Sequence, residues 1–479
     1  MTQDQGKRRH SQRQGNLERS GQRSPAPPPD RGLTRSLTST KLALVALGSI
    51  IGAGFFLGSG IPIYHAGRAA VFAYLLGGFL MYLIVSMLAE MAAAQPVEGG
   101  FSTYACEYFG RWIGFVSGWM YWSSGVLTMS SEVVAAAIFT RLWLPHWPLW
   151  IFALVYSALM VLINTRDTSG FATAEGALSA LKLVALALFV LLALVVLFFG
   201  SMALPGADAR DGLTSLRSFW SLRDILPEGL GGFFGALLFV MFAYAGTSVI
   251  AMAAAETRSP ERTIPRAIHL VVVTVLALYL SSIVAITLLI PPGQVGTGIS
   301  PFVQALDRLH LSRAASLMNL VILTAALSSM NSALYGVTRM LHALSERGDA
   351  PRRLAKVNRR GVPTSALLVS GVALGLTISL AYLLPKTAYV LISGATSLVA
   401  MFNWGLIALT HLRFRAKERP NAAPFRAWGH PWTSYLAFAL VVLVAASAWF
   451  LPSQRVGLTG LMLLLVFFSV VYWVLARRK

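Results

Sequence analysis

The stretch Gly48-Ser49-Ile50-Ile51-Gly52-Ala53-Gly54-Phe55-Phe56-Leu57-Gly58-Ser59-Gly60 places five glycines among thirteen residues. It lies inside an apolar run, 42–62, long enough to cross roughly 30 Å of hydrocarbon as a helix. Glycine in a helix interior costs about 1 kcal/mol relative to alanine, so the middle of this run is a poor continuous helix. It should break near Gly52 to Gly54. A later run, 231–255, repeats the signal: Gly231-Gly232-Phe233-Phe234-Gly235 leads into Phe242-Ala243-Tyr244-Ala245-Gly246-Thr247-Ser248, with a glycine again in mid-run.

Working outward, apolar runs follow one another with short gaps over most of the 479 residues. Hydrophobic residues make up 56% of the chain and charged residues 12%, far from the balance of a soluble globular protein. The expected fold is all-α and integral to the membrane, with about twelve helices near 42–62, 69–93, 112–138, 147–164, 176–200, 231–255, 266–291, 312–344, 363–384, 388–411, 433–451 and 457–476. Residues 1–40 are rich in Gln, Arg, Ser and Pro and lack an apolar core of their own, so they read as a disordered basic tail and not a signal peptide. The transmembrane domain then covers 41–479.

Most of the 39 lysines and arginines fall in the tail, the even-numbered loops and the C-terminus, which places both ends on the cytoplasmic side by the positive-inside rule. The net charge of +20 follows from that topology signal together with contacts to anionic lipid, and no nucleic-acid partner is expected. The expected location is the plasma membrane, the inner membrane of a bacterium. Cys106 is the one cysteine and reads as a small packing residue. No spacing of histidines or acids makes a metal site, and no cofactor is expected.

The two interrupted runs lie five spans apart. Paired Gly-interrupted spans in corresponding positions point to an inverted-repeat secondary transporter, with 41–200 as one five-helix half, 230–411 as the other and 433–476 as two accessory helices. An odd number of spans per half forces opposite orientations. The competing explanation is close helix packing, since Gly48 and Gly52, Gly54 and Gly58, and Gly114 and Gly118 all satisfy small-xxx-small spacing. Packing is the better reading for Gly114 and Gly118. A break in span 1 would bare N–H groups at the start of a half-helix, which suit a carboxylate, and carbonyls, which suit an ammonium. An α-amino acid carries both. A channel would more naturally show re-entrant loops or rings of charge, and a membrane enzyme would show converging nucleophiles or metal ligands.

Several motifs resemble the amino acid permease family of the amino acid–polyamine–organocation superfamily. They are the glycine-rich span 1, Leu88-Ala89-Glu90-Met91 with Pro96-Val97-Glu98-Gly99-Gly100-Phe101, and Gly118-Trp119-Met120-Tyr121-Trp122. Further along come Ala255-Glu256-Thr257-Arg258-Ser259-Pro260-Glu261 with Ile264-Pro265-Arg266-Ala267-Ile268, and Asn331-Ser332-Ala333-Leu334-Tyr335 with its continuation to Gly361-Val362-Pro363. The resemblance implies the leucine-transporter-type 5+5 fold with discontinuous helices 1 and 6, and amino acid uptake coupled to protons. It places the substrate carboxylate at the N–H groups of Gly52, Ala53 and Gly54, and the ammonium at carbonyls of Ile50, Phe242 and Ala245, beside Gly246. Phe242 would gate the site, with Tyr121, Trp122, Ser123, Thr128 and Asn331 as walls. Many family members carry glutamate two residues after the span 6 glycine; here that position is Ser248, which favours a neutral amino acid. Amino acid exchange and transport of polyamines or cationic amino acids remain the alternatives.

Ionisable residues inside a span cost about 2.5–3.5 kcal/mol each at the helix centre, so each calls for a partner or a function. Lys182 reads as lying a quarter of the way along span 5, without a carboxylate on its own helix face. In the resemblance it takes the place of a proton-coupling lysine; the alternative is snorkelling to the interface. Glu132, deep in span 3, is a second coupling candidate and equally a packed, protonated acid. Glu90 and Arg339 sit near inner span ends and should form salt bridges or gate contacts there.

Overall fold

The computed structural model of the chain describes residues 38–95, 97, 99–165, 171–199, 225–247, 249, 257, 259–296, 298–358, 361–384, 387–417 and 425–477. The tail expected over 1–40 falls almost wholly outside them, and Ser248 does too. Among the described residues all extended regular structure is helical. The first apolar run is interrupted as its glycines predict: α1 (Ser39–Ile50) stops, Ile51 and Gly52 are non-helical, and α2 (Ala53–Phe56) and α3 (Gly60–Ala66) follow as short pieces. Gly52 is extended at φ −135° and ψ −157°. Next come α4 (Ala70–Ala94), α5 (Phe101–Phe109), α6 (Arg111–Thr140), α7 (Leu149–Asn164) and α8 (Phe171–Phe199). The second half of the chain forms α9 (Gly229–Ala243), α10 (Pro260–Leu289), α11 (Pro301–Arg308), α12 (Ser312–Glu346), α13 (Thr364–Leu383), α14 (Ala388–Lys417), α15 (Trp432–Ser447) and α16 (Pro452–Ala476).

Eight stretches among the described residues are long and apolar enough to cross a membrane, one of them running from Ala53 to Ala94, and four shorter apolar helices accompany them. In α6 and α14 the most apolar stretch is 78% buried within the protein, against 11% in α16. The first two therefore form the middle of the bundle. In α16 the side chains of Val456, Leu463, Val466 and Phe467 face outward, where lipid is their natural solvent. Around the centre, α12 packs along α6, and α1 lies against α8, α10 and α12. The α9 helix touches α2, α3, α4 and α14.

Several boundaries differ from the sequence expectation, among them the tenth span, which runs on to Lys417 past 411, and the twelfth, which begins at Pro452 instead of 457. The fifth span begins at Phe171 instead of 176, the seventh at Pro260 instead of 266, and the helix of the sixth ends at Ala243 and passes into a turn at Tyr244 to Thr247. Proline is tolerated in the first turn of a helix, where its missing N–H has no partner to lose, so Pro260 opens α10 naturally. Two short helices, α5 and α11, stand where loops were expected. Each buries one stripe, Phe101, Tyr104, Ala105 and Tyr108 in α5 and Phe302, Ala305 and Leu306 in α11. An amphipathic stripe of this kind suits a helix lying on the bundle.

Candidate functional site

The interruption of span 1 leaves main-chain groups in the protein interior, and side chains from five helices meet them. On the amide side, Ala53 N–H donates to Glu132 Oε2 at 2.9 Å. Glu132 comes from α6, and its other oxygen lies 3.1 Å from Ser329 Oγ of α12. The amide expected to meet a substrate carboxylate thus already holds the chain's own carboxylate. On the carbonyl side, the Tyr279 hydroxyl of α10 lies 3.2 Å from Ile50 O and 3.1 Å from Ala243 O. One phenol therefore bridges the last carbonyl of α1 and the last of α9. The Tyr389 hydroxyl of α14 donates to Ala53 O at 2.9 Å. Buried main-chain acceptors need partners, and these tyrosines supply them.

Glycines make this approach possible. A Cβ on Gly52 would sit 2.5 Å from Glu132 Oε1 and 2.7 Å from Ser329 Oγ. One on Gly48 would collide with Glu175 Oε1 and Ser179 Oγ of α8. The Gly48 and Gly52 pair, four residues apart, therefore seats two carboxylates as well as two helices. Gly114 and Gly118 do serve packing, against Cys106 and Leu344. Gly54 admits Phe242, whose Cδ1 and carbonyl oxygen would each lie 3.0 Å from an added Cβ. Gly246, at φ +91°, adopts a conformation that L side chains resist, and it brings its backbone against Ser49 O.

Below the interruption, toward the start of α1, a cavity opens between the end of α1 and the turn that follows α9. Ser49, Ala245 and Gly246 line it together with Tyr121 and Thr128 of α6 and Asn403 and Trp404 of α14. Tyr121 and Thr128, two of the expected pocket walls, line this cavity. Trp122 instead donates its indole N–H to Ser370 Oγ of α13 at 3.1 Å. Asn331 accepts from Asn164 Nδ2 at 2.6 Å and does not line the cavity. Phe242 is buried, its ring 6.5 Å edge-on from Tyr389. Asn403 was not singled out from sequence, though its buried Oδ1 has no partner among the described residues.

Lys182 is buried, not snorkelling: 1% of it is exposed, and its ammonium donates to Gly48 O at 2.7 Å. With α8 starting at Phe171, Lys182 lies about 16 Å along the helix. The expectation that its helix face carries no carboxylate is corrected by Glu175, seven residues earlier and nearly two full turns back. Both Glu175 and Glu132 act electrostatically on Lys182. The sequence reading missed Glu175 because it started span 5 at 176, one residue past it and five past the actual start.

Away from the interruption, Glu90 of α4 is fully buried and accepts from Arg415 Nη2 at 2.9 Å and from Ala427 N at 2.8 Å, with His411 Nε2 at 3.0 Å. This bears out the salt-bridge expectation for Glu90. The Arg339 guanidinium stacks over the Tyr335 ring at 4.1 Å.

The model of the family described as amino acid permease matches residues 41–478. Amino-acid permease RocE of Bacillus subtilis is 34% identical over 454 residues, covering 93% of this chain and 96% of that protein. The gamma-aminobutyric acid permease of Escherichia coli is 32% identical over 446 residues, 92% of this chain and 94% of its own. The aromatic amino acid transport protein AroP of Salmonella typhimurium is 33% identical over 432 residues, 88% and 93% respectively. Apolar spans and a family match of this extent make the chain a multi-pass membrane protein of amino acid transport. It belongs to the amino acid permease family.

Proposed function

We propose that the chain is a proton-coupled symporter of neutral amino acids. It works by alternating access, across a bacterial inner membrane, with twelve spans and both termini cytoplasmic. In this reading 41–200 and 230–411 are inverted repeats, 433–476 adds two accessory helices, and the interrupted spans rock against the rest of the bundle. The observation that carries the proposal is the meeting of two helix ends: the carbonyls of Ile50 and Ala243 converge on one phenol while the Ala53 amide faces Glu132. Main-chain dipoles of opposite sense at one depth suit a zwitterion.

The substrate carboxylate takes the amides of Gly52, Ala53 and Gly54, displacing Glu132, and its ammonium takes carbonyls of Ile50, Phe242 and Ala245. Gly246 keeps the two spans close enough for both ends to reach one molecule. The cavity under the break, with Ser49, Tyr121, Thr128 and Asn403, receives the substrate side chain. Ser248 leaves no acid beside Gly246 to pair with a cationic side chain. The relatives named for gamma-aminobutyric acid and for aromatic amino acids handle molecules that share a carboxylate and an ammonium and differ in the rest. Glu132 and Lys182 supply the proton sites: a group can bias the conformational equilibrium only by its difference in proton affinity between the two states, about 1.36 kcal/mol per pK unit.

The test is competition by each standard amino acid for uptake into vesicles holding the purified protein, with and without an imposed pH gradient. Uphill uptake that follows the gradient and is inhibited by neutral amino acids is expected. Gradient-independent exchange, or inhibition by putrescine ahead of every amino acid, would replace the proposal with one of its alternatives.

A further inference from the structure

Beside the interruption of span 1, among the described residues, lies a buried acid that the coupling scheme does not use. Glu175 is 1% exposed. Its Oε1 accepts from Ser328 Oγ of α12, while its Oε2 has no donor among the described residues. It shares a helix face with Lys182, and both converge on Gly48, the lysine through the carbonyl and the carboxylate through the space that glycine leaves. Ser179 Oγ, between them on α8, lies 2.7 Å from both Leu44 O and Glu175 O, and its single hydrogen goes to one or the other.

Charge balance then restricts the protonation of the group. Two carboxylates, Glu132 and Glu175, share one ammonium in a site cut off from water, and a buried charge without a partner is expensive. The three groups together hold one proton beyond the lysine's own. Glu132 is the better anion, since it accepts from the Ala53 amide and lies within reach of the Ser329 hydroxyl, whose one hydrogen goes to it or to Ser49 O, and such bonds favour the charged form. Glu175, whose Oε2 has no donor in hydrogen-bond geometry though Ser332 and Asn331 of α12 lie near its carboxylate, is the member that keeps the remaining proton. The other elements packed on this spot bring main-chain groups of α1, the polar side chains Ser328, Asn331 and Ser332 of α12, and from α10 Tyr279, whose hydroxyl is shared between Ile50 O and Ala243 O. Among the described residues, the ionisable groups that bear on Glu175 most directly are Lys182 and, beyond it, Glu132.

We infer that Glu175 is a proton-carrying partner of Lys182, so that the buried coupling centre has three ionisable members, Glu132, Lys182 and Glu175. The inference rests on the proton-coupled reading above and deepens it. Glu175 lies about 6 Å along α8 from its first residue and Lys182 about 16 Å. In the proposed topology Glu175 is thus the member nearest the cytoplasm. Once Glu175 has lost its proton to cytoplasmic water, Lys182 passes it another: an N–H bond of the ammonium breaks, an O–H bond forms on the carboxylate, and a neutral amine remains beside Gly48. The positive charge leaves with the proton.

The test uses the full chain in vesicles, with an equimolar mixture of carbon-14-labelled amino acids as probe. Gradient-driven accumulation and counterflow exchange are measured in wild type, Glu175→Gln and Glu175→Asp across a range of pH. A gradient of about one pH unit sustains about tenfold accumulation when one proton moves per substrate. In Glu175→Gln the ratio of accumulation to counterflow should fall by about that factor, with a flattened pH profile, and Glu175→Asp should restore part of both. Equal loss of accumulation and counterflow in Glu175→Gln, or an unchanged ratio and profile, overturns the role of Glu175. Failure of the wild type itself to accumulate against the gradient would instead overturn the symport reading on which it stands.

Discussion

Replacing Gly52 with alanine adds one methyl group at the tightest point of the interruption. The backbone there, at φ −135°, is open to any L residue, so the cost is contact and not conformation. The added Cβ would lie 2.5 Å from Glu132 Oε1 and 2.7 Å from both Cβ and Oγ of Ser329. Ser329 Cβ is fixed to the long helix α12 and cannot give. Glu132 must therefore swing away, losing the Ala53 amide and the Ser329 hydroxyl. Hydrogen bonds to a charged group contribute about 1.5–3 kcal/mol each, and overpacking a core by a methylene costs about 1–3 kcal/mol. A net loss of about 3 kcal/mol corresponds to about two powers of ten in an equilibrium or rate constant. Initial-rate uptake in vesicles should show Vmax/KM for Gly52→Ala lowered by about that factor. Gly375→Ala serves as the comparison, because nothing lies within 4 Å of its added Cβ, and it should transport as the wild type does. Wild-type kinetics in Gly52→Ala would refute the assignment of the interruption as the transport site.

Lys182→Ala should abolish pH-gradient-driven accumulation, since it leaves Glu132 and Glu175 without their shared cation; retained uphill uptake in vesicles would remove the lysine from coupling. Tyr279→Phe deprives the Ile50 and Ala243 carbonyls of their common donor, at about 1–3 kcal/mol, and should lower both melting temperature and maximal rate, as read by thermal unfolding and by uptake. Glu90→Ala strands the Arg415 guanidinium, whose side chain is 15% exposed, and should destabilise the protein by about 3–5 kcal/mol. A melting temperature within a degree or so of wild type would show that the Glu90 cluster adds nothing to stability.

The membrane spans were legible because lipid enforces a single rule, apolar side chains on a self-satisfied backbone, and that rule leaves long marks in a sequence. The interruption of span 1 was legible for the opposite reason: glycines at 48, 52 and 54 violate the rule where a helix would otherwise continue. Glu175 escaped notice because a start at 176 put it in a loop, where a carboxylate needs no explanation. Tyr279 and Tyr389 escaped because an aromatic residue in an apolar helix looks the same whether its hydroxyl finds a carbonyl or an interface. Asn331 shows the limit of motif reasoning: its partner, Asn164, lies on α7, and nothing local to either residue announces the pair. The helices α5 and α11 were hidden by their brevity, nine and eight residues, too short for periodicity to stand out.

The shared phenol of Tyr279 carries a stoichiometric consequence. A hydroxyl owns a single hydrogen, yet two helix-terminal oxygens stand within reach of it, each able to accept two. The Gly52 amide also donates to Ile50 O at 3.1 Å, so wherever the phenol hydrogen goes the two helix ends together still hold lone pairs open to a cation.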